Sequence, residues 1–254
     1  MSRWRLVALV IAGSVLAAEL IWGLSGLPGF GHYAHAYGRL AAEQAELRRH
    51  VTNVPTAVNF DLRAIDTLAE EFILFSSALA MALIVRSGRE PEGRPPETVS
   101  DAFPQAGPGE ATRLLAALLV APAIVLGGYI VLHGHLTPGG GFQGGVILAS
   151  GVLLADVCGA SLLTRRLRPL AALEWLESAG AAGYALIGVG GLIAGGAFFH
   201  NWLPSGTVSH LLSGGVIPVA NVAVSFEVAS AFLLVWSELR DRSLVLLDDE
   251  EPTP

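Results

Sequence analysis

Six stretches of this chain are each long and apolar enough to cross a lipid bilayer, and nothing else in the sequence limits its fold as strongly. A helix rises about 1.5 Å per residue, so about 20 mostly apolar residues cross a hydrocarbon core of roughly 30 Å. The stretches run over 6–24, 68–85, 114–132, 144–163, 176–199 and 216–236. They predict an all-α integral membrane bundle of about six transmembrane helices. Composition agrees, because 52% of residues are hydrophobic, 15% are charged and the mean hydropathy is +0.57. Lipid is therefore the solvent for most of the chain.

Charge excludes several function classes. The net charge of -7 is inflated by a terminal run, Asp248, Asp249, Glu250 and Glu251, in an acidic tail over 241–254. That run reads as solvated tail, and nucleic acid is not an expected partner. All fifteen basic residues are arginine, so a Walker-type phosphate loop and a lysine Schiff base are both excluded. Cys158 is the single cysteine and lies in an apolar run, which leaves no intrachain disulfide or thiolate metal site. No metal and no cofactor is expected.

Arginine placement gives the topology. Short loops rich in arginine stay in the cytoplasm. Arg3 and Arg5, then Arg86, Arg89, Arg94 and Arg113, then Arg165, Arg166 and Arg168, then Arg240 and Arg242 all fall on one side of six crossings. The short connections 133–143 and 200–215 carry no arginine or acid and belong to the opposite face. Both termini are thus expected in the cytoplasm of a multi-pass cell-membrane protein. The first segment, with Arg3, Arg5, Ala17 and Ala18, resembles a cleavable secretion signal, but its length favours a retained anchor. A proline-rich stretch over 87–110 reads as a cytoplasmic linker between a two-helix portion, 1–86, and a four-helix portion, 111–240. Residues 37–50 suggest a short surface helix on the far side.

Ionisable side chains within apolar helices mark either a polar path or a buried partner, since each costs roughly 2.5 to 3.5 kcal/mol at the helix centre on insertion scales. Glu227, near the middle of the last segment, is the most costly placement. It reads equally as a proton or cation relay and as a hydrogen bond between helices. Glu70 has the same two readings, while Glu19, Glu71 and Asp156 look like interfacial or packing residues. His133, His135 and His200 could extend an ion path at the far face, because an unperturbed imidazole exchanges protons near neutral pH. His133 and His135 could bind metal only with ligands brought from elsewhere. Between the third and fourth segments, Pro138, Gly139, Gly140 and Gly141 suggest tight non-helical backbone, and Gly144 and Gly145 let the next helix start close against a neighbour. Such backbone is tolerated at membrane depth only under a cover of protein or water. Gly188, Gly191 and Gly195 form a packing face.

The connection HGHLTPGGGFQGGVILASGVLL closely resembles the hallmark segment of B subunits of Mrp-type multi-subunit sodium/proton antiporters. SGTVSHLLSGGVIPVANVAVSFEVASAFLLV is similar to the end of that domain, as found also in membrane-bound hydrogenase-type complexes. VNFDLRAIDTLAEEFILFSSALAMALIV resembles the end of the large A subunit or a separate E-like subunit, its pattern falling on Asp66, Thr67, Leu68, Ala69 and Glu70. Where the family often has Asp in the last helix, this chain has Glu227. The resemblance implies a fusion of two pieces and a membrane subunit that lines or braces an ion path, with monovalent cations or protons as cargo. Other membrane subunits of an antiporter or hydrogenase-type complex are the implied partners, and Asp66 joins Glu70 and Glu227 as an ion-path candidate. A purely structural adaptor is the competing reading. A self-contained enzyme is a distant third, because no nucleophile stands with a base and no cofactor motif is present.

Overall fold

The computed structural model describes residues 3–27, 36–87, 108–159 and 170–248. All regular structure among them is helical. Five helices are long and apolar enough to cross a membrane, and a sixth apolar helix is shorter. By contacts the chain divides after Leu40.

The first unit is built on α1, Arg3–Ser25. Its side chains from Trp4 to Ala8 and from Val10 to Ser25, Glu19 among them, are exposed. The second unit follows α2, Ala36–Glu43, which passes into a π-helical turn at Gln44–Arg48. A short α3, Val54–Ala57, passes into a second π-helical turn at Val58–Leu62. Then come α4, Ala64–Ser87, α5, Glu110–His133, and α6, Gly141–Val157. Two long helices complete the bundle, α7, Leu170–Gly195, and α8, Ile217–Asp248. The linker residues 88–107, the end of the 144–163 stretch from 160 onward and the terminal residues 249–254 lie outside the described residues.

Helix α8 is the centre of the second unit, packed by α4, α5, α6 and α7. Its inward side carries Ala220, Val224, Val228, Ala231 and Leu234, all buried. Lipid removes the water-driven force between helices, so close van der Waals contact between small side chains does the holding. Glycine supplies that contact where α6 crosses its neighbours. A Cβ added at Gly145 would lie 2.9 Å from both Ser225 O and Val228 Cβ of α8, and one at Gly144 would lie 2.9 Å from Gly127 O of α5. Between α7 and α8 the same role falls to Gly180, where a Cβ would lie 2.7 Å from Glu227 Cβ.

Gly188, Gly191 and Gly195 do form a packing face, but its occupant is the chain that follows. Helix α7 ends at Gly195, four residues before the apolar stretch runs out, and 197–202 fold back along it. Phe199, at φ 59, donates its N–H to Gly188 O at 3.2 Å. The reversed segment places Phe199 against Tyr184, ring centroids 5.0 Å apart, with Phe60 edge-on at 5.9 Å. The Tyr184 hydroxyl donates to Ala64 O at 3.0 Å, tying α7 to the start of α4.

Candidate functional site

The glycine-rich connection is held by residues just before α3 and within it. Asn53 donates its side-chain amide to Gly134 O at 2.6 Å, Thr137 O at 2.9 Å and Gly139 O at 3.3 Å. The Thr56 hydroxyl donates to Gly134 O at 2.8 Å, and that of Thr52 to Leu136 O at 2.5 Å. Three polar side chains from one short stretch thus satisfy carbonyls that no helix could. Gly139 stands at φ 140, a conformation open to glycine. The first N–H of α6, at Gly141, is donated to Asn221 Oδ1 at 2.7 Å. Asn221 lies four residues into α8, so α6 begins about 6 Å below the end of its neighbour at 1.5 Å per residue. The turn is sunk into the bundle at Gly134, His135, Gly140 and Gly141, which are buried, while Pro138 stays exposed.

Above that turn lies a cavity of about 310 Å³. Its walls are Thr56, Asn59 and Phe60 from α3 and its π-helical turn, Thr67, Glu70 and Glu71 from α4, Gly139 to Gln143, and Val224 of α8. At about 30 Å³ per molecule the space suits a cluster of waters, and its walls are polar enough to hold them. Glu70 is exposed on this wall, whereas Glu71 is 4% exposed.

From the cavity floor a file of carboxyl groups continues inward. Glu71 faces Glu227 of α8, which is fully buried. Glu71 Oε2 and both carboxyl oxygens of Glu227 are without a donor. Two carboxylates have no proton to give each other, so the pair closes a hydrogen bond only when one of them is protonated. Glu177 of α7, 2% exposed, is the next group within electrostatic reach of Glu227, and Glu174 lies within reach of Glu177. At the far end Arg86, in the last turn of α4, donates to Glu174 at 2.6 Å and to Glu238 of α8 at 2.7 Å.

The expected site residues divide accordingly. Glu70 and Glu227 lie on this file, with Glu71 between them. Asp66 stands apart, half exposed and held by Arg63 at 2.5 Å. His133 stacks on Tyr129 at 4.2 Å, His135 is buried in the turn, and His200 is exposed at the end of the reversed segment. None of the three lines the cavity. Among the described residues no group of histidines, cysteines and acids is placed to hold a metal. Asp156 accepts from Arg240 at 2.6 Å and from the Trp236 indole at 3.3 Å.

Glu177, Glu174, Glu238 and Arg86 carry no single-residue signal in the sequence. Their position within or beside apolar segments at both ends of helices was the available clue. Glu71 was available too, since Ala64, Thr67, Glu71, Ala78 and Ala82 mark one helical face, and all five are buried.

A polytopic helical bundle with carboxyl groups through its interior and a sunken glycine turn defines a membrane subunit of the antiporter-like class. Residues 111–234 match the model of a domain related to the MnhB subunit of Na+/H+ antiporters. An uncharacterized protein of Methanocaldococcus jannaschii, MJ1307, is 30% identical over 92% of this chain and 93% of its own length. A chain of the membrane-bound sulfane sulfur reductase, an archaeal respiratory membrane complex, superposes with a TM-score of 0.67 at 27% identity, over 93% of this chain and 98% of that one. A chain of the Mrp complex from Dietzia sp. DQ12-45-1b shares the fold, with a TM-score of 0.64 at 24% identity, over all of this chain and 27% of that one. Residues 111–234 belong to the MnhB-related domain family, and the chain is a membrane subunit of an antiporter-like module that assembles with other membrane subunits.

Proposed function

We propose that protons or monovalent cations move through this subunit along the file from the Glu70 wall through Glu71, Glu227 and Glu177 to the Arg86 end. The observation that carries the reading is the juxtaposition of Glu71 and Glu227, two buried carboxyl groups from different helices beneath a polar cavity. A structural contact between helices needs a donor and an acceptor, and this pair supplies a donor only by binding a proton. Arginine asymmetry supports a topology with the cavity on the outer face and Arg86 and both termini in the cytoplasm. The chain has no catalytic centre of its own. Its cargo moves either on an ion gradient, as in an Mrp antiporter, or with redox chemistry in a respiratory complex. The segment 1–86 is a fused neighbour subunit, joined through the linker 87–110 to the B-type portion 111–240.

The test is transport by the complete complex in vesicles, with assembly measured in parallel. Glu227→Gln and Glu71→Gln should abolish coupled transport, Glu227→Asp should retain part of it, and Glu70→Gln, at an exposed wall, should slow it less. Full transport in an assembled Glu227→Gln complex would leave the adaptor reading.

A further inference from the structure

Arginine at the end of a membrane helix ordinarily reaches for water. Arg86 does so only in part, since its guanidinium is engaged by two carboxylates. One donor goes to Glu238, whose side chain is 0% exposed, and another to Glu174, whose side chain is 41% exposed; Arg86 itself is 34% exposed. The cation therefore bridges one dry carboxylate and one wet one. Glu174 and Glu177 are three residues apart on α7 and share a face. Glu177 is 2% exposed, and its Oε1 has no donor. It lies one turn deeper than the wet partner, so Arg86 holds the outermost carboxyl of the file, the one that opens to water. Fixed positive charge in a narrow polar path is a known barrier to protons and cations.

We propose that Arg86 is the gate of the carboxyl file: its bridge between Glu238 and Glu174 closes the path against leak, and its swing toward one of the two partners opens it. The gate rests on the ion-path reading above, because without a file there is nothing to close. Arg86 acts through its neighbours and is a positioning residue. No bond is made or broken beyond hydrogen bonds. The two carboxylates offer alternative partners on different helices, so the guanidinium never has to stand alone in a dry environment.

Complete complexes in vesicles loaded with a pH-sensitive dye separate a gate from a clamp. Arg86→Gln with Glu238→Gln removes one charge of each sign and keeps hydrogen-bonding shape. This pair should assemble, lose coupled transport and leak protons several-fold faster than wild type. Adding Glu227→Gln should remove the leak, which then ran through the file. Arg86→Lys should restore a low leak. Glu174→Gln leaves the buried Arg86–Glu238 pair intact and so keeps the fold; by weakening the bridge it should lower coupled transport several-fold and raise the leak. Wild-type transport in Glu174→Gln, or wild-type leak in an assembled Arg86→Gln/Glu238→Gln complex, would overturn the gate and leave Arg86 a clamp. A leak insensitive to Glu227→Gln would overturn it as well. The ion-path reading fails separately, through unchanged transport in Glu227→Gln alone.

Discussion

The imidazole of His135 is buried in the glycine-rich turn, and neither ring nitrogen has a partner at good hydrogen-bond geometry, although the backbone of His210 and Leu211 lies close. Burial pushes its imidazole below the usual 6.5; the backbone of His210 and Leu211 partly offsets this, and neighbouring His133 adds to it. The folded turn therefore favours the neutral ring, while the unfolded chain takes up a proton at about 6.5. The contribution to stability is complete above that pH and is lost as pH falls through the lower folded value. Hydrogen exchange at the backbone of 134–140, corrected for intrinsic rates, should accelerate from about pH 7.5 to about pH 5.5. His135→Gln should flatten the dependence, and protection that does not change with pH in the wild type would refute the account. The same scale shows what hydropathy leaves out. Glu70 and Glu71 are equally unexpected in an apolar segment, yet successive residues on a helix point about 100° apart, so only one of them faces α8. The buried face through Ala64, Thr67 and Ala78 selects Glu71, a signal of spacing that average hydropathy does not carry.

Among the elements, the segment 52–56 has the most to do with the least sequence. Asn53 alone reaches three carbonyls of the turn. Asn53→Ala leaves those acceptors to compete for water at a crowded site and should destabilise the turn by roughly 1 to 3 kcal/mol. A lower melting temperature in detergent, with faster exchange over 134–140, would report it; an unchanged turn would show that Thr56 and Thr52 suffice. Helix existence was legible throughout, but helix ends were not. Apolar Ala197, Phe198 and Phe199 continue the hydropathy of α7 while the backbone reverses at Gly196, φ 74. Conversely α8 runs past the apolar stretch to Asp248, because Glu238, Leu239, Arg240 and Arg242 are good helix formers whatever their hydropathy, and charged residues there end the apolar run without ending the helix. Hydropathy reports the solvent of a segment, and its backbone path follows from turn chemistry and propensity.

For the whole molecule, arginine asymmetry predicts a topology that labelling decides. With Cys158 replaced, a cysteine at Ser205 should react with an impermeant reagent in right-side-out vesicles, and one at Ser87 should not. The reverse pattern would invert every assignment of side. Exposed apolar residues such as Leu118, Val125 and Leu132 on α5 need lipid or neighbouring subunits, so the chain should leave the membrane in mild detergent with its partners attached. Purified alone, it should exchange no cations for protons in liposomes. The bundle was legible because lipid imposes one simple rule on every crossing; the file of acids was not, since its members come from three helices far apart in sequence. The sunken turn has an electrical consequence. If water fills the cavity, as its polar walls allow, the potential of that aqueous phase reaches inward to Glu71, and on the proposed path the voltage across the membrane falls mainly between Glu227 and Glu238. Those residues are separated by eleven steps of α8, roughly 16 Å at 1.5 Å per residue, about half of a roughly 30 Å core. The field there is about twice that of a uniform slab, and nearly all of the ~2.3 kcal/mol per charge per 100 mV acts on that short passage.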